Sequence, residues 1–99
     1  AIDVYHVWWD PKLYDNLKSN KSKILAFHVC DWLVQTKDPL LDRGMMGDGI
    51  IEIKNIRKAL EYNGYMGPVE VEIFSSYNWW KRSVVETLNI SKNRLTSLC

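Results

Sequence analysis

From residue 68 to residue 75 the chain alternates, with Val69, Val71 and Ile73 apolar and Glu70 and Glu72 between them. Successive side chains of a strand point to opposite faces, so this stretch predicts a strand over residues 69–74 with both glutamates on one face. That face is either wet, the commoner meaning of such alternation, or enclosed. In an enclosed site an ionised carboxylate requires a partner or a metal. A second stretch, "ILAFHV" at residues 24–29, is apolar apart from His28 and has the length of a strand buried on both faces. Residues 1–5, "AIDVY", read as the end of another strand.

Helical patterns separate these strands. Asp10-Pro11 offers an N-cap followed by a first-turn proline, and Leu13 and Leu17 lie one turn apart, so a short helix is expected to about Ser19. Ile53, Ile56 and Leu60 form a helical stripe closed by Gly64. Ser83 and Glu86 have capping-box spacing, and Val84, Val85, Leu88 and Leu95 give the last segment a helical apolar face. Between the second strand and the second long helix, residues 30–49 form a loop with Gly44, Gly47 and Gly49. Loops of that length in compact domains are usually functional or disordered. Strand and helix alternate three times, the signature of an α/β fold with parallel strands. No repeat, low-complexity tract or domain boundary interrupts residues 1–99, which read as a single unit.

Composition narrows the function classes. With 13 basic and 12 acidic residues the net charge is +1, so there is no electrostatic footprint for nucleic acid or an anionic membrane. No segment is apolar enough to span a bilayer. Cys30 and Cys99 lack metal-type spacing and do not form a disulfide framework; they read as free thiols of a cytoplasmic protein. Four of the five tryptophans stand in the doublets Trp8-Trp9 and Trp79-Trp80, each after a strand end. They suit pocket walls or packing under loops, and packing is expected of at least one member of each pair. Met45 and Met46 are expected to pack.

Metal-capable residues mark each strand end. The first strand carries Asp3, with His6 three residues on, the second carries His28, with Asp31 three residues on, and the third carries Glu72. In parallel α/β folds the strand C-termini share one face, which holds the active site. Singly, Asp3 could be a loop cap, His28 a core histidine and Glu72 a salt-bridge partner. Their recurrence at three successive strand ends favours one divalent ion, Mn²⁺, Mg²⁺, Co²⁺ or Zn²⁺, in an oxygen-rich site with one imidazole.

The stretches "DVYHVWW", "FHVCDW", "DRGMMGDGIIEI" and "GPVEVEIF" together resemble the C-terminal part of the sugar phosphate isomerase/epimerase superfamily, whose members have xylose isomerase-like TIM barrels. The resemblance covers essentially all 99 residues and implies the last three strand–helix units of a (β/α)8 barrel. It implies Asp3, His28 and Glu72 as metal ligands, with a fourth ligand, a glutamate, upstream of Ala1. His6 and Arg43 would contact substrate, Trp9 would wall a sugar, and Glu70 would lie one layer deeper than Glu72 and need a partner. The endonuclease IV branch carries Asp-Arg-His where this chain has Asp42-Arg43-Gly44, which argues against a three-zinc phosphodiesterase.

The implied chemistry is sugar or sugar phosphate isomerisation or epimerisation by proton transfer through an enediolate, with Glu72 as catalytic base. The competing expectation is a non-catalytic, truncated or degenerate barrel fragment. Expected partners are the sugar and either a second copy or an upstream half-barrel, with neither nucleic acid nor membrane.

Overall fold

In the computed structural model, which describes all of residues 1–99, the three strands lie side by side in one parallel sheet. They are β1 (Ile2–Asp3), β2 (Phe27–Val29) and β3 (Val69–Val71), in that order across the sheet. Register places Asp3 opposite His28, and His28 opposite Glu70. Each strand is shorter than its pattern suggested. Residues 24–26 lead into β2 without pairing as strand, and Leu25 stands exposed. Glu72 lies one residue beyond β3, where its N–H still donates to the Val29 carbonyl at 3.0 Å.

The first strand ends early because of its own last residue. Asp3 Oδ1 accepts a hydrogen bond from the Tyr5 N–H at 2.9 Å and caps a single helical turn, α1 (Val4–Val7). The cap satisfies a donor that the turn leaves free, and residues 4–5 therefore leave the extended form that their apolar character suggested. A similar device opens α2 (Leu13–Ser19). Asp10 Oδ1 accepts from the Lys12 N–H at 2.8 Å, so the aspartate acts at the helix entrance although the regular helix starts only at Leu13.

The next helix, α3 (Ile53–Tyr62), stops at Gly64, whose φ of 92° suits a residue without Cβ. Tyr65 N–H donates to Leu60 O at 3.0 Å and Gly64 N–H to Glu61 O at 2.9 Å, the paired closure of a Schellman motif. The α2 and α3 helices pack together over one side of the sheet, burying Leu13, Leu17, Ile53, Ile56 and Leu60 with Phe27 and Val29. The last helix, α4 (Val84–Leu98), is capped by Ser83 Oγ, which accepts from the Glu86 N–H at 3.1 Å. Its expected apolar face is split. Ile90 and Leu95 pack against the core, whereas Val84, Val85 and Leu88 are exposed. No helix is long and apolar enough to cross a membrane.

The long glycine-bearing loop is ordered around Asp31. This carboxylate is 1% exposed; Oδ1 accepts from the Trp32 and Ile51 N–H groups and Oδ2 from Gly47 N–H, each at 2.9 Å. Asp31 and Gly44 also exchange backbone hydrogen bonds of 2.8 and 2.9 Å, and Arg43 N–H donates to Phe74 O at 2.9 Å. The loop thus passes from the end of β2 to the segment after β3. Met45 and Met46 fill the space beneath it, fully buried. Gly49 is required by close approach, since a Cβ there would lie 2.0 Å from the Trp32 carbonyl oxygen. Asp48 finishes the fastening by accepting from Trp79 Nε1–H at 2.9 Å and pairing with Arg94 of α4.

Asp31→Ala in the full-length protein would strip three backbone donors of their acceptor, at about 1–3 kcal/mol for each donor left unsatisfied. The expected loss of stability in urea denaturation is therefore about 3 kcal/mol or more. A loss below about 1 kcal/mol would show that Asp31 does not organise the loop.

Candidate functional site

The cap on α1 uses one oxygen of Asp3 and leaves the other for the sheet's carboxyl edge. There, Asp3 Oδ2 lies 2.9 Å from Arg43 Nη1 and 3.6 Å from His6 Nε2. His28 comes from the middle strand and Glu72 from just beyond the third. One donor atom each from Asp3, His28 and Glu72 lie within 4.8 Å of one another. Strand register therefore places these three together, which the recurrence of chemistry at three strand ends had suggested.

The two glutamates of the alternating strand do share a face, and it is the face of His28. The imidazole stands between them, with Nε2 3.0 Å from Glu70 Oε2 and Nδ1 3.7 Å from Glu72 Oε2. Val69 and Val71 pack the other way, against the hydrophobic core. Glu70 thus has a partner in His28, but with its side chain 53% exposed against 35% for Glu72 it is not the more deeply buried of the two, contrary to what the resemblance implied.

Arg43 is the cation at the centre. Its side chain is 3% exposed, and Nη1 bridges Asp3 Oδ2 at 2.9 Å and Glu72 Oε2 at 3.1 Å. Its other terminal nitrogen, Nη2, lies 3.2 Å from His6 Nε2. The guanidinium carbon sits 4.3 Å from the Tyr5 ring centroid and 5.0 Å from that of Phe74. Burial works against the charge, but the hydrogen bond and charge of Asp3 outweigh it and hold the pKa above the usual arginine value. Arg43 Nη1 also donates to Cys30 Sγ at 3.7 Å. Burial pushes the Cys30 thiol up to about 12 despite the nearby arginine, so it is protonated at neutral pH and forms wall rather than nucleophile.

The donor set suits a divalent cation. Opposite ligands of one ion, each about 2.0–2.3 Å from it, stand about 4–4.6 Å apart. The 4.8 Å span is reached from there by small side-chain adjustments. Charge points the same way. Asp3 and Glu72 share the single arginine and Glu70 lies against His28, so the three carboxylates exceed it by two negative charges, the charge of one divalent ion.

Other expected residues fall differently. His6 joins the cluster through Arg43, with its side chain 68% exposed. Trp9 is 65% exposed and makes no polar or ring contact with the cluster. Its neighbour Trp8 turns toward Trp32, ring centroids 5.9 Å apart, and Trp79 is buried, so one member of each doublet packs as expected. Asp31, paired with His28 in the sequence pattern, is consumed by loop backbone and takes no part. At Gly44 an added Cβ would meet Leu33 Cδ2 at 2.9 Å and Asp48 Cβ at 3.0 Å, so a histidine there would force its neighbours apart. Asp42 accepts from Lys37 N–H at 2.8 Å. The aromatic sandwich of Tyr5 and Phe74 around Arg43 was not anticipated; Phe74 shares the parity of the glutamates, the one signal that could have shown it.

Comparison with known proteins places this geometry in context. The family model described as "Xylose isomerase-like TIM barrel" matches residues 1–94. Among solved structures, protein SMc04130 from Sinorhizobium meliloti 1021 is 53% identical, with a TM-score of 0.97 over 100% of this chain and 37% of its own. The IolI protein, whose crystal structure carries a bound zinc atom, is 23% identical, with a TM-score of 0.83 over 98% of this chain and 36% of its own. Among curated proteins the comparison gave no match. The chain thus spans little more than a third of the length of the two solved structures it matches. With its parallel sheet corresponding to a portion of the TIM-barrel fold, the chain belongs to the xylose isomerase-like TIM barrel family.

Proposed function

We propose that residues 1–99 carry the metal- and substrate-binding edge of an isomerase or epimerase that acts on a sugar or sugar phosphate. The observation that carries this reading is the convergence of Asp3, His28 and Glu72 within 4.8 Å at the carboxyl edge of a parallel sheet, beside a buried arginine. The zinc of the IolI structure, a protein of the same fold, supports the choice of a metal.

Asp3, His28 and Glu72 would hold the ion, which when bound would act as a Lewis acid toward sugar oxygens. The rest falls to the chain's own groups. Glu72, with only Oε2 engaged by Arg43, would take a proton from the carbon next to the carbonyl and return it to the neighbouring carbon for isomerisation, whereas epimerisation would need a proton delivered to the opposite face, the role of the upstream glutamate that the resemblance implies. Arg43 cannot lose its proton at working pH, so it would remain a fixed donor that draws negative charge toward the carboxylate edge. His6, exposed and reaching back to Arg43, would orient a sugar hydroxyl. Trp9, exposed after the end of β1, would cover the apolar face of the ring.

In the full-length protein, Glu72→Gln, which keeps an oxygen to accept from Arg43, should lower metal-dependent turnover of a ketose by about 10²–10⁴-fold while leaving the protein folded. His28→Ala should raise the Kd for Mn²⁺ in calorimetric titration. Near-normal turnover by Glu72→Gln, or unchanged Mn²⁺ affinity in His28→Ala, would remove these roles.

The isolated 99-residue polypeptide should behave differently from a complete barrel. It has three of the eight strands that a TIM barrel closes, and both outer strands keep an unpaired edge. Size-exclusion chromatography should find it self-associated, and an epimerase assay with added Mn²⁺ should find it inactive. A monomer with metal-dependent turnover would contradict this.

A further inference from the structure

The contact between Glu70 and His28 has no role in proton transfer, yet it dictates which way the imidazole faces. His28 sits directly across from Glu70 in the parallel ladder. Its Nε2 is 3.0 Å from Glu70 Oε2, while Nδ1 is 3.7 Å from Glu72 Oε2 and so is the nitrogen nearer a proposed ligand. A neutral imidazole carries one proton. A lone pair on Nε2 at 3.0 Å from an ionised carboxylate would be repelled, whereas an N–H there is attracted. The closer carboxylate therefore holds the proton on Nε2 and frees the Nδ1 lone pair. The two glutamates of one strand face divide the labour, Glu72 toward the ion and Glu70 behind the histidine.

We infer that Glu70 is a positioning residue, which fixes the tautomer and ring orientation of His28 so that Nδ1, and not Nε2, is offered to the metal. This rests on the metal-site reading above. Partners of metal-bound histidines of this kind carry much of a site's affinity, and their removal typically costs 10–100-fold. Glu70 is half-exposed and none of its neighbours depends on it for packing, so its replacement leaves the hydrophobic core intact.

The test is a pair of measurements on the full-length protein and its Glu70→Ala and Glu70→Gln variants. The first is ¹⁵N NMR of the His28 ring nitrogens without metal, at a pH where the ring is neutral. The second is calorimetric titration with Mn²⁺ and Zn²⁺. Wild type should show a protonated Nε2 and an unprotonated Nδ1. Glu70→Ala should mix the two tautomers and weaken metal binding by about 10–100-fold. Glu70→Gln, which keeps an acceptor oxygen, should restore the tautomer and most of the affinity. An unchanged tautomer and unchanged affinity in Glu70→Ala would overturn the inference and leave the metal site standing. Absence of metal affinity in wild type would overturn the metal site itself, and the metal-free NMR reading distinguishes that failure from the first.

Discussion

The buried guanidinium of Arg43 is the constraint on which the rest of the structure depends. One terminal nitrogen joins Asp3, forty residues earlier in the chain, to Glu72, twenty-nine residues later. Two carboxylates brought this close would otherwise repel and draw water between the strand ends. Removing one partner from such a buried group typically costs about 3–5 kcal/mol, because the remaining charges stay desolvated. The arginine thus allows the first and third strands to end in acid at the same place.

Holding Arg43 there is the task of the loop. A flexible loop could not keep a buried cation at a fixed depth, and this one is not left flexible. Asp31 gathers three backbone donors, Asp48 ties the loop to Trp79 and α4, and Met45 and Met46 fill the space beneath. The glycines serve the same end, Gly49 by giving room to the Trp32 carbonyl and Gly47 by adopting a φ of 92°. Stability and site chemistry are joined at this loop, since whatever loosens Asp31 also frees Arg43.

Much of this could be read from the sequence, and the limits have physical causes. Strand alternation around Glu70 and Glu72 was legible because a period of two survives in a strand of three residues. Gly64 was legible as a stop because its closure is local, complete within the six residues from Leu60 to Tyr65. Asp3 was legible as a possible cap, but the early end of β1 was not, because the same residue also serves the site and the apolar residues after it suit a strand equally well. The role of Asp31 depends on donors as far along the chain as Ile51, which no local pattern encodes. The burial of Arg43 between Tyr5 and Phe74 is likewise tertiary; from sequence, an arginine in a glycine-rich loop reads equally as a substrate contact or a solvated side chain. The exposed residues of α4 show the converse. A helical apolar stripe marks a face able to pack, and within residues 1–99 nothing covers Val84, Val85 and Leu88.

The central claim is that Asp3, His28 and Glu72 form one divalent-metal site beside Arg43. Its most direct test is anomalous diffraction at the zinc or manganese edge from crystals of the full-length protein grown with that ion. The expected result is a single peak about 2.0–2.3 Å from Asp3 Oδ2, His28 Nδ1 and a Glu72 carboxylate oxygen, with Arg43 still in contact with the carboxylates. An ion bound elsewhere, or no peak at this edge of the sheet under saturating metal, would contradict it.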